Sequence, residues 1–198
     1  GMRDAALALL PADRTSRNKL YQDLERGKGI LDDEDHLNMY LHSFGKMHKA
    51  KLDAAFGCIP DISEIFSEEV EIYDWGCGQG TASVCLLDFL HSKNISPNIK
   101  HFCLVEPSIA AVERATQVIE SFCSAYFVKS ITKDFDSLSP EDFKKSNIRK
   151  VHLFSNILDV EAFDLARFIH LFQQLFGSDN YFVCVGPYYS NNRRVDEF

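Results

Sequence analysis

The chain has 198 residues, 45% hydrophobic and 25% charged, which suits one domain with a real core. No apolar run reaches the ~20 residues of a membrane span, and the N-terminus lacks the charged, apolar and small-residue succession of a secretory signal. The net charge of −8 and the pI near 5.3 disfavour nucleic acid as the main partner, because such binding rests on neutralising phosphates.

Gly1, ahead of Met2, reads as a remnant of expression. Residues from about 13 to 57 read as helical, with Asp32 and Asp33 as candidate caps for a long helix through HLNMYLHSFGKMHKAKLDAAF. Tyr40, Phe44 and His48 recur four apart on one face of that helix, a spacing that serves a core stripe or the cover of a ligand. Pro60 closes this region.

From Val70 onward short apolar runs alternate with helical stretches. The predicted strands are VEIYDW (70–75), IKHFCLVE (99–106), SAYFVKS (124–130), KVHLFS (150–155) and NYFVCVG (180–186). Helices are expected near 81–92, 109–122 and 161–176, the last unusually apolar, and a shorter turn follows Ser139-Pro140. This alternation predicts an α/β fold whose parallel sheet is covered on both faces. The ending GPYYSNNRRVDEF reads as a loop and the opening turn of another helix, so the final strands of a larger domain are expected to be missing. The basic doublets Lys144–Lys145, Arg149–Lys150 and Arg193–Arg194 read as solvated surface. The six cysteines have no CxxC pair and are expected reduced, in a cytoplasmic protein. The seven histidines have no metal-ligand spacing, so no metal site is expected.

The informative stretch is Tyr73-Asp74-Trp75-Gly76-Cys77-Gly78-Gln79-Gly80-Thr81, which follows a strand and opens a helix. Glycines allow positive φ and close approach of a ligand to the backbone, while the helix start offers free N–H groups. A dinucleotide fingerprint starting at Gly76 would need its third glycine at position 81, where Thr81 stands. Asp74 would also repel a pyrophosphate: like charges about 4 Å apart cost about 1 kcal/mol in water and about 4 kcal/mol at an effective dielectric of about 20. A ligand with a sulfonium or ammonium group and no phosphate, such as S-adenosylmethionine, is favoured instead.

On VEIYDWGCGQG (70–80), LVEPS (104–108) and HLFSNILD (152–159), the chain resembles the class I S-adenosylmethionine-dependent methyltransferases over roughly residues 68 to 190. The resemblance implies a doubly wound, mostly parallel sheet of order 3-2-1-4-5 flanked by helices, carried by residues 68–198, with residues 1–67 as an N-terminal helical extension packing on the core. It implies a cofactor set of Asp74, Gly76, Cys77, Gly78 and Gly80, with Asp74 near the methionine amino group. Glu106 would take the ribose diol, and Asp134, after the third strand, the adenine amino group. Phe135 beside it packs on the adenine or joins the core. On the acceptor side, Asn156 and Asp159 are the candidate catalytic residues, orienting an acceptor or taking its proton; the structural alternative for Asp159 is a helix cap. Tyr188 and Tyr189 frame the acceptor pocket or pack on the N-terminal helices. The segment departs from the N/D-P-P-Y/F motif, which argues against the amino-group DNA methyltransferases and some RNA or protein ones. The acceptor stays open. Two other readings stand beside this one: a non-catalytic methyltransferase-like module that binds ligand or protein within a longer polypeptide, and a nicotinamide-dependent oxidoreductase.

Overall fold

The computed structural model describes residues 2–25, 29–122, 124–177, 179–187 and 194–198. Tyr188 and Tyr189 lie outside them. Helices α1 (Met2–Leu9), α2 (Arg14–Asp23), α3 (Glu34–Gly57) and α4 (Ile62–Ser67) precede β1 (Val70–Trp75). Then follow α5 (Thr81–Ser92), β2 (Ile99–Val105), α6 (Ile109–Phe122), β3 (Phe127–Ile131), β4 (Arg149–Ser155), α7 (Leu165–Leu175), β5 (Asn180–Val185) and α8 (Arg194–Glu197). Short 3₁₀ turns occupy Phe135–Ser137 and Pro140–Asp142.

The five strands form one parallel sheet in the order β3-β2-β1-β4-β5, as expected. Every residue of β1 is buried, since the strand is central and covered on both faces. Val70 and Ile72 face α5, α6 and the second half of α3, where Leu86, Ala115, Leu52 and Phe56 close the core. Tyr73 and Trp75 face the other way, onto Phe168 and Phe172 of α7. Trp75 meets Phe168 edge-on at 5.2 Å and stacks on Phe154 at 6.0 Å. Trp75 pairs with Val105 on one side and Phe154 on the other, so β1, β2 and β4 end level. The loops that follow them share one edge of the sheet, on either side of the point where strand order reverses.

Several boundaries differ from the sequence reading. The N-terminal run forms two helices rather than one, α2 ending at Asp23 and α3 starting at Glu34. Between them, a Cβ on Gly29 would lie 2.6 Å from the Asp23 carbonyl oxygen, so this residue must be small. Asp33, not Asp32, caps α3 by accepting the His36 N–H at 2.9 Å. Helices α1 and α4 carry too few periodic residues to announce themselves. The apolar helix begins at Leu165, not 161, because Asp164 accepts the Arg167 N–H at 3.0 Å and caps it there. The doublet Arg149–Lys150 is not solvated surface. Lys150 is 3% exposed, with Nζ on the Ser146 and Ile148 carbonyls at 3.0 and 2.5 Å, and Arg149 pairs with Asp179 at 3.2 Å. No helix among the described residues is long and apolar enough to cross a membrane.

Candidate functional site

A cavity of about 280 Å³ opens where β1, β2 and β4 end. Its wall takes Gly76 and Gly78 after β1, Glu106 after β2, Asp134 and Phe135 after β3, and Asn156 and Ile157 after β4. Tyr40 of α3 and the segment 29–31 close it from the N-terminal side. That segment is held in place by the Ser108 hydroxyl, which donates to the Leu31 carbonyl. Two roomier cavities, of about 420 and 510 Å³, lie beside β5 and between α3, α5 and α6, and neither holds a strand-end carboxylate.

The three glycines of the loop all have positive φ: +61° at Gly76, +50° at Gly78 and +79° at Gly80. Their surroundings differ. A Cβ on Gly76 would come within 2.7 Å of the Ile157 side chain, and one on Gly80 within 3.0 Å of the Ala115 Cβ on α6. At Gly78 it would meet nothing within 4 Å. Gly76 and Gly80 thus let neighbouring elements close in, while Gly78 leaves a bare stretch of backbone on the cavity wall. Gln79 ties this loop to α3, its amide donating to the Leu37 carbonyl at 2.9 Å.

Glu106 is the hinge of the site. Oε2 accepts the Gly78 N–H at 2.9 Å and Oε1 the Ser108 N–H at 3.1 Å, so the acid ending β2 holds the glycine loop of β1. A carboxylate accepts about four hydrogen bonds, which leaves lone pairs for a ligand diol. Burial raises its pKa above the usual carboxylate value, and the two backbone donors oppose that. Asp134 stands exposed on the wall, with Oδ1 accepting the Ser137 N–H at 2.8 Å; the Ser137 side chain and then this N–H hold its pKa below the ordinary value. Phe135 joins the core beneath α7, and it also lines the cavity.

Asp74, Cys77 and Gly80 are not among the residues of the wall. Asp74 lies under the loop, 1% exposed, with Oδ2 accepting from the Ser83 hydroxyl at 2.7 Å and its N–H at 3.2 Å. It thereby anchors the first turn of α5, while Oδ1 is buried with no partner. Burial pushes its pKa up to about 6; the Ser83 bonds pull it down, and the Glu106 charge adds to the rise. The Cys77 side chain points into the core, and burial raises its thiol pKa well above normal.

On the β4 side, Asn156 takes φ +58°, in the left-handed region that asparagine enters more readily than most residues. Its N–H donates to the Val185 carbonyl at 2.6 Å, and its Oδ1 accepts from Lys51 Nζ of α3 at 2.5 Å. Asp159 follows on the same loop, and its Oδ1 is buried without a partner. The structural alternative for it falls away, because Asp164 occupies the cap position of α7. Arg194 clamps this loop, donating to the Leu158 and Phe163 carbonyls at 3.0 and 3.1 Å, with its guanidinium 4.7 Å above the Phe163 ring. Lys51 and Arg194 escape a reading of the sequence: their partners lie 105 and 36 residues away, and neither sits in a motif. The stripe on α3 is real, with Tyr40 and Phe44 centroids 5.3 Å apart, but only Tyr40 reaches the cavity.

By sequence, no protein-family model and no curated protein matches the chain. Among solved structures it is similar to a protein of Methanococcus maripaludis assigned as an S-adenosyl-L-methionine-dependent methyltransferase. The TM-score is 0.52 at 16% identity, covering 78% of this chain and 64% of that one. It is also similar to an S-adenosylmethionine-dependent methyltransferase of Clostridium acetobutylicum, with TM-score 0.49, 14% identity, and coverage of 73% and 55%. The strand order and the first of these likenesses define the class: this is the class I methyltransferase fold. The chain spans less than two thirds of the length of either protein.

Proposed function

We propose that the chain is an S-adenosylmethionine-dependent methyltransferase, with residues 68–198 as the cofactor-binding domain and residues 1–67 as a helical extension that helps close the site. The observation that carries this reading is the bond from Gly78 N–H to Glu106 beside bare backbone at the cavity wall. It sets a diol-accepting carboxylate next to a stretch of chain that a ligand can touch, with no lysine or arginine in that loop to hold a phosphate. The residues present fit the adenosyl group. Glu106 would hold the ribose, Asp134 the adenine amino group, and Gly76 and Gly78 would admit the chain that follows the sugar. Asp74 acts from beneath, through its charge and its hold on α5, and Cys77 and Gly80 support the loop.

When bound, the cofactor supplies a sulfonium methyl that passes in line to an acceptor lone pair, leaving a neutral thioether. Asn156 on the cavity wall would orient the acceptor, with Asp159 acting from the same loop behind the wall, and alignment alone can supply much of the acceleration. Ile157, Phe163 and Tyr40 shield that end from water. The five described cysteines are free thiols, in keeping with a cytoplasmic setting.

Thermal melting in separate wells with S-adenosylmethionine, S-adenosylhomocysteine and NAD tests the reading. A ligand at about 100 times its Kd stabilises the fold by about 2.7 kcal/mol, so the adenosyl ligands should raise the Tm clearly. A shift with NAD alone, or with none of the three, overturns it.

A further inference from the structure

We propose that the cavity of about 510 Å³ between α1, α3, α5 and α6 binds an apolar carboxylate of the medium-chain fatty-acid class, with the tail inside and the head at Lys46 and Arg3 on the rim. This site lies outside the strand-end cavity, so it stands or falls independently of the proposed function.

The floor is apolar. Leu41 comes from α3, Val84 and Cys85 from α5, and Val118 from α6. Burial pushes the Cys85 thiol up to about 12, so it stays protonated at pH 7 and lines the cavity as a small hydrophobe. The volume falls within the range of about 300–1,000 Å³ that small-molecule sites occupy. Gly45 stands on the same wall, near the middle of α3, where a glycine weakens a helix relative to alanine. Packing does not demand it: a Cβ would meet only the Leu41 side chain, whose Cδ1 at 2.9 Å can swing aside. What the missing side chain leaves open is room in the cavity.

The charges of the wall select the head group. The chain carries −8, yet this wall sets four cations, Arg3, Lys46, Lys49 and Arg114, against two acids, Asp53 and Asp88. Both acids face Lys49, at 3.1 and 3.9 Å. Arg114 is engaged with Glu34, Asn38 and Gln79. Lys46 is exposed and meets no carboxylate among the described residues. Arg3 donates Nε to the His42 carbonyl at 2.8 Å. In a helix that carbonyl faces the N–H four residues on, which is that of Lys46, so the Arg3 guanidinium sits beside Lys46. Asp4, next to Arg3 in α1, is not on the wall. Two cations with donors to spare, at the mouth of an apolar cavity, complement a monoanion with an apolar body.

Calorimetry on the full chain tests this with decanoate below its micelle concentration and with decyltrimethylammonium, the same tail on a cationic head. The proteins are wild type, Lys46→Glu, and the two variants Gly45→Leu and Ala50→Leu, which put a side chain into the cavity from α3. Decanoate should bind wild type at one site per chain, and octanoate several-fold more weakly, because less apolar surface is buried. Decyltrimethylammonium should bind at least about tenfold more weakly than decanoate, and Lys46→Glu should weaken decanoate by about tenfold or more, the scale of a charge-assisted bond. Gly45→Leu and Ala50→Leu should abolish decanoate binding while keeping a cooperative melt. Ala50 is exposed and leucine suits a helix, so that variant keeps the test open if Gly45→Leu does not fold. No saturable decanoate binding to wild type, equal affinity for the two heads, or undiminished affinity in Lys46→Glu or Ala50→Leu overturns the proposal. No adenosyl ligand takes part, so the outcome is separate from that for the strand-end cavity.

Discussion

Glu106 accepts the N–H of Gly78 at 2.9 Å, so the acid that ends the second strand also sets the conformation of the glycine loop after the first. On the proposed function, ligand recognition and loop shape are joined in one side chain. Replacing it by alanine frees the Gly78 and Ser108 N–H groups to water and, on the proposed function, removes the acceptor for a ribose diol. Glu106→Ala should keep a cooperative melt and lose about tenfold to a hundredfold in S-adenosylhomocysteine affinity, the scale of charge-assisted hydrogen bonds. Unchanged affinity by calorimetry would remove Glu106 from the binding set.

The glycines should separate under substitution. Gly80→Ala places a methyl 3.0 Å from the Ala115 Cβ and 3.1 Å from its Cα at φ +79°, so α6 must move. The expected loss is on the order of 2–4 kcal/mol, from overpacking added to left-handed backbone. Gly78→Ala carries only the backbone cost, about 1–2 kcal/mol, since no protein atom stands within 4 Å. On the proposed function its methyl would stand where the ligand approaches the backbone, so affinity for the adenosyl ligands should fall further than stability does. Urea unfolding of both variants alongside calorimetry reads the contrast.

Asp74 predicts a pH dependence of stability. Its folded pKa of about 6 lies above the ordinary 3.8, so the folded state holds the proton more tightly than the unfolded chain does. Its contribution is fully present below about pH 3.8 and is lost as the pH rises through about 6. The loss is on the order of 3 kcal/mol at 1.36 kcal/mol per pKa unit. Asp74→Asn should therefore flatten the stability profile between about pH 4 and 7. An equal slope in wild type and variant would show that the acid is ionised without penalty.

Arg194 fastens the loop that carries Asn156 and Asp159. Arg194→Ala gives up two hydrogen bonds to backbone carbonyls and the stacking on Phe163, expected to cost about 1–3 kcal/mol for a half-buried cation. Amide hydrogen exchange over residues 157–163 should quicken while that of β1 stays slow.

Much of this was legible in the order of residues. Strand-helix alternation has a local cause in hydrophobic spacing, and a glycine at positive φ after a strand is a local steric demand. The parallel sheet, the ligand loop and the acid ending β2 therefore follow from short stretches of chain. What the sequence could not decide depends on how α3 lies against the sheet and which of several acids takes a cap. Asp159 and Asp164 are equivalent on paper, and only the path of the loop gives the cap of α7 to Asp164 and leaves the Asp159 Oδ1 buried without a hydrogen bond. Asp74 precedes the glycines as a ligand-binding acid would, yet the pleat of a central strand turns it under the loop toward Ser83. Lys51 reads as one more cation on a long helix. It meets Asn156 across 105 residues because the core cluster that packs Leu52 and Phe56 against the sheet carries that helix over the strand ends. Periodicity and turn chemistry are written locally; the meeting of side chains far apart in sequence is a product of packing, and packing exists only in three dimensions.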